Sequence, residues 1–240
     1  MRLKDKVIVI IGASGGIGAV LARVFHAEGA TVVLSARTES KLLALADSLG
    51  SGDRVWPYAV DATIPSELGA LFEAVKKRKK QIDAVVISAG SWARLSVNNS
   101  LKEAEDLISE HFRGIFRPPF IAGFVAQKFF REQGHGWIIN ISSHAATKPG
   151  LVGNLTYGPM KAAARHFVLG LQQELSGTGV RVSDLQPAIV NTLDNQRALD
   201  TPKKRAAAVQ PEDIAEWIIT YFDDERPPAE EEFESEVVLD

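Results

Sequence analysis

Val7-Ile8-Val9-Ile10-Ile11-Gly12-Ala13-Ser14-Gly15-Gly16-Ile17-Gly18 joins an unbroken apolar run to a glycine-rich turn, and an amphipathic stretch over Ile17–Glu28 follows. Five apolar residues in a row leave no polar face, which is how a strand covered by helices on both sides must read. The glycines permit a tight turn and close approach of a pyrophosphate to the backbone, while the N-terminus of the following helix attracts negative charge. The stretch therefore predicts a strand, a turn and a helix arranged to hold a dinucleotide. Its spacing is Gly-x-x-x-Gly-x-Gly, not the Gly-x-Gly-x-x-Gly of the commonest dinucleotide fingerprint.

Outward from this unit, apolar and amphipathic runs alternate, the pattern of βαβ units feeding a parallel sheet. Strands are expected at Val7–Ile11, Thr31–Ser35, Arg54–Val60, Ala84–Ser88, Gly136–Ile141, Val180–Gln186 and Glu236–Leu239. Helices are expected at Ile17–Glu28, Glu39–Leu49, Pro65–Lys79, Leu101–Phe112, Ile115–Glu132, Leu155–Leu175 and Pro211–Phe222. The expected organisation is one α/β domain over residues 1–240, without internal repeats. The acidic stretch Asp223–Glu234, with Pro227 and Pro228, is expected to link the last helix to the last strand. Residues 187–209 are long for a strand-to-helix connection and follow a strand carboxyl end, where open α/β sheets bind ligands; they are expected to form a substrate loop.

Length and composition bound the function. A chain of 240 residues can bury a substantial core. Its formal net charge of −3 gives no overall attraction to nucleic acid or to an anionic membrane. The one dense basic run, Lys76-Lys77-Arg78-Lys79-Lys80, ends a predicted helix, where cations complement the carbonyl dipole. The absence of cysteine excludes disulfides and thiolate metal sites. His26, His135 and His166 show no ligand spacing with one another or with carboxylates, so no metal is expected. No apolar stretch reaches the ~18 residues of a membrane span. Met1 to Lys6 leads into the first strand without the apolar segment of a signal peptide, and a cytoplasmic protein is the expectation.

Chemistry enters with Tyr157 and Lys161, four residues apart on a predicted helix and hence on one face of it. An ammonium near a phenol favours the phenolate and makes the phenol a stronger acid. Such a group can exchange a proton with an alcohol or a carbonyl oxygen. A dinucleotide at the glycine turn would give this pair a hydride partner. Cofactor choice is read at the end of the second strand, where an acidic residue accepts the ribose 2′-OH of NAD and an Arg accommodates the 2′-phosphate of NADP. Leu34-Ser35-Ala36-Arg37 carries no carboxylate before the Arg. A guanidinium can hold phosphate through two parallel hydrogen bonds, so NADP(H) is the expected cofactor. Asp61, after the third strand, is either an acceptor for the adenine amino group or an N-cap for the next helix.

With these residues in hand, the chain resembles the short-chain dehydrogenase/reductase family from end to end. The resemblance is carried by the Gly12, Gly16 and Gly18 turn, Asp61, Ile87-Ser88-Ala89-Gly90, Ser142-Ser143, Tyr157-x-x-x-Lys161, and Pro187 through Thr192. It implies a doubly wound Rossmann fold whose seven parallel strands run in the order 3-2-1-4-5-6-7 between helices. A nicotinamide cofactor would lie across the strand ends, touched by Gly12, Ser14, Gly15, Gly16, Ile17, Gly18, Arg37, Asp61, Ala62, Ala89, Gly90, Tyr157, Lys161, Pro187, Ile189, Val190 and Thr192. The family role of Tyr157 is acid/base catalysis. That of Lys161 is to strengthen the phenol's acidity and hold the nicotinamide ribose, and that of Ser143 is to orient the reacting oxygen. The implied activity interconverts a secondary alcohol and a ketone on a small-molecule substrate. The alternative is a non-catalytic NADP(H)-binding sensor or scaffold on the same fold, against which the intact Ser143, Tyr157 and Lys161 set argues. A dehydratase or epimerase would call for a longer C-terminal region. Family members pair their long helices across a two-fold axis, so Ile115–Glu132 and Leu155–Leu175 are expected to build a homodimer or homotetramer.

The chain also departs from the family pattern. Ile11 stands where the turn usually opens with Thr, Ser88 replaces the Asn of the Asn-Ala-Gly motif, and Pro187-Ala188 replaces Pro-Gly. His111 aligns with the Asn that often completes a catalytic tetrad; it either carries a proton relay or satisfies a backbone group. Ser143 lies 14 residues before Tyr157, one more than is usual, and Ser142 is the alternative catalytic serine. Trp92 is either a substrate wall or packing, and His144 is expected on a loop at the rim. Pro159 is expected to be tolerated if Tyr157 lies near the helix start.

Overall fold

The computed structural model describes residues 1–90, 92–148 and 153–237. Its centre is a parallel sheet of seven strands: β1 (Val7–Ile11), β2 (Thr31–Ala36), β3 (Val55–Ala59), β4 (Ala84–Ile87), β5 (Gly136–Ile141), β6 (Val180–Pro187) and β7 (Glu230–Phe233). They run in the order β3-β2-β1-β4-β5-β6-β7, as the resemblance implies. Among the described residues, eight α-helices accompany them: α1 (Gly16–Ala27), α2 (Glu39–Ser48), α3 (Pro65–Lys79), α4 (Leu101–His111), α5 (Arg117–Gln133), α6 (Tyr157–Glu174), α7 (Pro202–Ala207) and α8 (Pro211–Thr220).

The unbroken apolar reading of β1 has its cause in two cores. Successive strand residues face opposite ways, and Ile8 and Ile10 join Leu21, Phe25, Leu34, Ile214 and Ile218 on one face of the sheet. Val7, Val9 and Ile11 join Leu68, Phe72, Phe130 and Val168 on the other. Helices α1, α2 and α8 therefore cover the first face, and α3, α5 and α6 the second. Phe25, Phe72 and Phe130 are each fully buried, and each such side chain stabilises the fold by roughly 1.5–3 kcal/mol.

The chain winds outward from β1 to β3 in one direction and from β4 to β7 in the other. The crevice beyond the carboxyl ends of β1 and β4 is thus the switch point at which such sheets bind ligands. Register keeps the strand ends level, with Ile11 opposite Ile87, Ile87 opposite Asn140, and Ile141 opposite Leu185.

Three expectations need correction. The final strand is Glu230–Phe233, paired with Asp184–Pro187, and not Glu236–Leu239, of which Val238 and Leu239 lie outside the described residues. Part of the acidic stretch read as a linker is the strand itself; at an open sheet edge, charged side chains are tolerated and discourage further pairing. Between α4 and α5 there is no loop: Phe112–Phe116 forms a π-helical turn that carries one helix into the next. Such turns are rare and gather at functional sites. Helix α6 begins at Tyr157 rather than Leu155, which puts Pro159 in the first turn, where a missing N–H costs nothing. Residues 187–209 contain a 3-10 turn, Leu193–Asn195, and α7, and a bridge between Val190 and Val209 closes the base.

Candidate active site

The turn after β1 is held by two amide donors, Gly12 N and Ala13 N, to the carbonyl of Ser35 at 2.8 and 3.0 Å. Gly12 has φ +88°, and a Cβ there would come within 2.8 Å of the carbonyl carbon and oxygen of Ser88. A Cβ on Gly16 would lie 2.6 Å from Thr192 Cβ, and one on Gly18 would be driven into the carbonyl oxygen of Gly12. Ser14, Gly15, Gly16 and Ile17 keep solvent-facing surface. Gly15 caps α1 with no side-chain acceptor and no acidic residue in the first turn, leaving its first amides free. Free amides at a helix start and backbone without Cβ atoms are what a pyrophosphate needs, so these residues fit a dinucleotide.

At the neighbouring strand ends, Arg37 follows β2 and is exposed, with no ion-pair partner among the described residues. Asp61 follows β3. Its Oδ1 accepts from Thr63 N at 2.9 Å, and its carboxylate lies 3.6 Å from Arg113. Burial opposes its ionisation, yet the bonds from Thr63 and the charges of Arg113 and Arg37 outweigh burial and hold the carboxyl below its ordinary value. Asp61 is not the N-cap of α3; that position is Ile64, followed by Pro65. Ala62, beside it, is half-buried against the core.

Lys161 is buried, at 7 % exposure, and its Nζ donates to the carbonyl of Ile141 at 3.1 Å. The same Nζ stands 5.8 Å from the centroid of the Tyr157 ring, so the one-turn spacing does stack the two groups. Gly90, at φ +140°, faces this ammonium: a Cβ there would lie 3.6 Å from Lys161 Nζ. Gly90 from the turn after β4, Ile141 from β5 and Lys161 from α6 thus converge on one point.

His111 ends α4, just before the π-helical turn. Its ring is almost fully buried and meets Tyr157 edge-on, with centroids 6.1 Å apart. Its Nδ1 is 2.9 Å from Thr156 Oγ1, and its Nε2 has no partner among the described residues. Burial pushes this imidazole below its ordinary value, with Glu110 opposing weakly, so it is neutral at pH 7. Thr156 was not singled out by the sequence, and nothing in its local pattern marks it.

The two serines differ. Ser142 is buried and its Oγ has no partner among the described residues, whereas Ser143 is half-buried and its Oγ accepts from Ala145 N at 3.2 Å. The turn that Ser143 starts rests on the beginning of α6, since a Cβ on Gly158 would touch the Ala145 carbonyl at 3.1 Å. His144 is largely covered, with Nε2 3.8 and 3.9 Å from Glu232 and Glu234, and Lys148 already lies on both carboxylates at 3.5 and 2.7 Å. Trp92 is 59 % exposed and therefore not packing. Pro187 at the end of β6 and Val190 beyond it are buried, the Ile189 carbonyl accepts from Val209 N at 3.0 Å, and Thr192 lies against Gly16.

Comparison with known proteins follows the same lines. The family model described as short chain dehydrogenase matches residues 6–203. The chain belongs to the short-chain dehydrogenase family. A relative described as an uncharacterized oxidoreductase of Staphylococcus saprophyticus is 34% identical over 222 residues, covering 91% of this chain and 92% of that one. Another, from Staphylococcus aureus strain USA300, is 32% identical over 221 residues, 90% of each. Among solved structures, a short-chain type dehydrogenase/reductase from Mycobacterium ulcerans superposes with a TM-score of 0.86 at 20% identity, over 97% of this chain and 89% of that one. A short chain dehydrogenase from Bacillus anthracis gives 0.83 at 21% identity, over 97% and 96%. At those identities the structures speak for the fold alone. Among the described residues, no helix is long and apolar enough to cross a membrane.

Proposed function

We propose that this short-chain dehydrogenase is an NADP(H)-dependent oxidoreductase that interconverts a secondary alcohol and a ketone. The observation that carries the reading is the placement of Lys161: a buried ammonium anchored on the Ile141 carbonyl, 5.8 Å from the Tyr157 ring and facing Gly90. A buried cation with one backbone acceptor needs anionic or dipolar neighbours, and a phenolate answers that need. The nicotinamide cofactor, when bound, supplies or accepts the hydride at the carbon that bears the oxygen. In reduction, Tyr157 gives its phenolic proton to the carbonyl oxygen, Lys161 stabilises the phenolate left behind, and the Ser143 hydroxyl donates to the same oxygen. His111, held neutral and bonded to Thr156, can orient the Tyr157 ring edge-on and hold or pass a proton at Nε2.

NADP(H) over NAD(H) is supported by Arg37, exposed and without an ion-pair partner among the described residues, at the end of β2 where no carboxylate stands and within electrostatic reach of Asp61. Residues 187–209 would close over the substrate. A homodimer or homotetramer is supported by a ladder of neighbouring rings, Phe112 and Phe116 of the π-helical turn and Phe120 and Phe124 of α5, running onto Phe167 of α6, with Phe112, Phe120 and Phe124 exposed. Exposed contiguous apolar surface of this kind marks an interaction site. A cytoplasmic place of action goes with this reading. NADPH consumption on a panel of ketones and aldehydes tests the function; tight NADPH binding with no turnover on any of them would put the sensor reading in its place.

A further inference from the structure

The alternation that sends Ile138, Val180 and Val182 into the core beneath α6 sends Asn140 and Asp184 to the same face. Register sets Asn140 beside Asp184, and Asp184 beside Glu230, so three polar residues form one row across β5, β6 and β7. A buried polar row is expensive unless it is satisfied, and Asp184 is fully buried. One of its oxygens accepts from Asn140 Nδ2 at 2.6 Å; the other has no partner among the described residues. Above the row, α6 presents Lys161 and, one turn on, Arg165, which is ion-paired with Glu230. The charged groups that face Asp184 are therefore Lys161 and Arg165 from α6 and Glu230 from β7. Arg165 is paired with Glu230 through one terminal nitrogen, its Nε left without a partner among the described residues, whereas Lys161, anchored on the Ile141 carbonyl next to Asn140, has no carboxylate of its own there, so Asp184 is the acidic group left to face it.

We propose that Asp184 is a positioning residue for Lys161, its buried carboxylate setting how much of the ammonium's field reaches the Tyr157 phenol. The proposal rests on the roles given above to Tyr157 and Lys161. With Asp184 ionised, Lys161 is shared between two anions; with Asp184 neutral, the ammonium acts on the phenolate alone. Burial, opposed by the bond from Asn140 and the charges of Lys161 and Arg165, pushes the Asp184 carboxyl up to about 6, so the two states exchange near neutral pH.

Asp184→Asn keeps the shape and the acceptor for Asn140, removes the charge and puts an N–H donor where the second oxygen stood. In this variant the rising limb of the pH profile for alcohol oxidation should move to lower pH by roughly half a unit or more. A purely structural Asp184 would leave the limb where it is, and an unmoved limb overturns the proposal. Should the variant not fold, or should no alcohol be turned over, the coupling is read without catalysis. Energetic coupling between two sites is reciprocal, so in Lys161→Met the infrared band of the buried carboxylic acid should titrate at higher pH than in the wild type. Equal midpoints overturn the proposal, whereas absence of turnover with a shifted midpoint overturns only the enzymatic reading.

Discussion

Gly18→Ala places the smallest possible side chain where the structure allows none. Its Cβ would meet the backbone of the turn: driven into the Gly12 carbonyl oxygen, 2.9 Å from the Gly12 carbonyl carbon and 3.0 Å from Ala13 Cα. No side chain can swing aside, so α1 must move away from the turn by about an ångström to restore ordinary van der Waals separation. Overpacking of this kind costs roughly 1–3 kcal/mol, against which Ala in place of a helical Gly gains at most about 1 kcal/mol. With the full helix gain, the net loss of up to about 2 kcal/mol corresponds to a fall in Tm of up to roughly 8 °C for a domain of this size. The control is Gly69→Ala in α3, where a new Cβ meets nothing within 4 Å; the same change should raise Tm by roughly 2–4 °C. NADPH affinity, measured by fluorescence titration, should drop at least about tenfold in Gly18→Ala, because the α1 amides move with the helix, and stay constant in Gly69→Ala. Thermal scans in which both variants gain stability would refute the close approach of α1 to the turn.

Three further outcomes are expected. NADPH should bind at least about tenfold more tightly than NADH, about 1.4 kcal/mol, and Arg37→Ala should erase most of that preference; equal dissociation constants in the wild type would sink the cofactor assignment. Light scattering at micromolar concentration should give a dimer or tetramer mass, and Phe124→Glu, which charges the exposed end of the ring ladder, should shift it towards the monomer. Asp184 binds its proton more tightly in the folded protein, at about 6, than an ordinary Asp does in an unfolded chain, at 3.8. Its contribution to stability therefore falls as pH rises between those values and is fully lost above them. Asp184→Asn escapes this loss, so denaturant titrations should find it gaining on the wild type from pH 4 to pH 8, by on the order of 2–3 kcal/mol; a difference independent of pH would contradict the buried, unpaired oxygen.

The central sheet was legible because strands buried on both faces write their burial into local sequence, as Val7–Ile11 and Ala84–Ile87 do. Strand β7 was not, because it is paired on one side only, and its Glu230 and Glu232 answer to Arg165, Gln186 and Lys148 from distant parts of the chain. The π-helical turn at Phe112–Phe116 has no periodic signature of its own, being a single turn between α4 and α5. In the site, Gly12, Gly16, Gly18, Tyr157 and Lys161 are readable because each chemical demand falls within a few residues. The partners that hold them are not: the Ile141 carbonyl under Lys161, Thr192 against Gly16 and Thr156 beside His111 arise from cross-strand register and helix docking. The row of Asn140, Asp184 and Glu230 spans three strands and leaves no trace in any one of them.

The claim that most depends on this geometry is that Tyr157 moves the proton. Tyr157→Phe removes the hydroxyl and keeps the ring against His111 and Lys161, so Tm and NADPH affinity should match the wild type. Ser143→Ala should likewise lower turnover and spare affinity, and the same result from Ser142→Ala instead would move the assignment by one residue. The direct measurement is the single-turnover rate of NADPH oxidation by Tyr157→Phe with a ketone accepted by the wild type. The account predicts a fall of about 10²-fold or more with the NADPH dissociation constant unchanged; a rate near that of the wild type would contradict it.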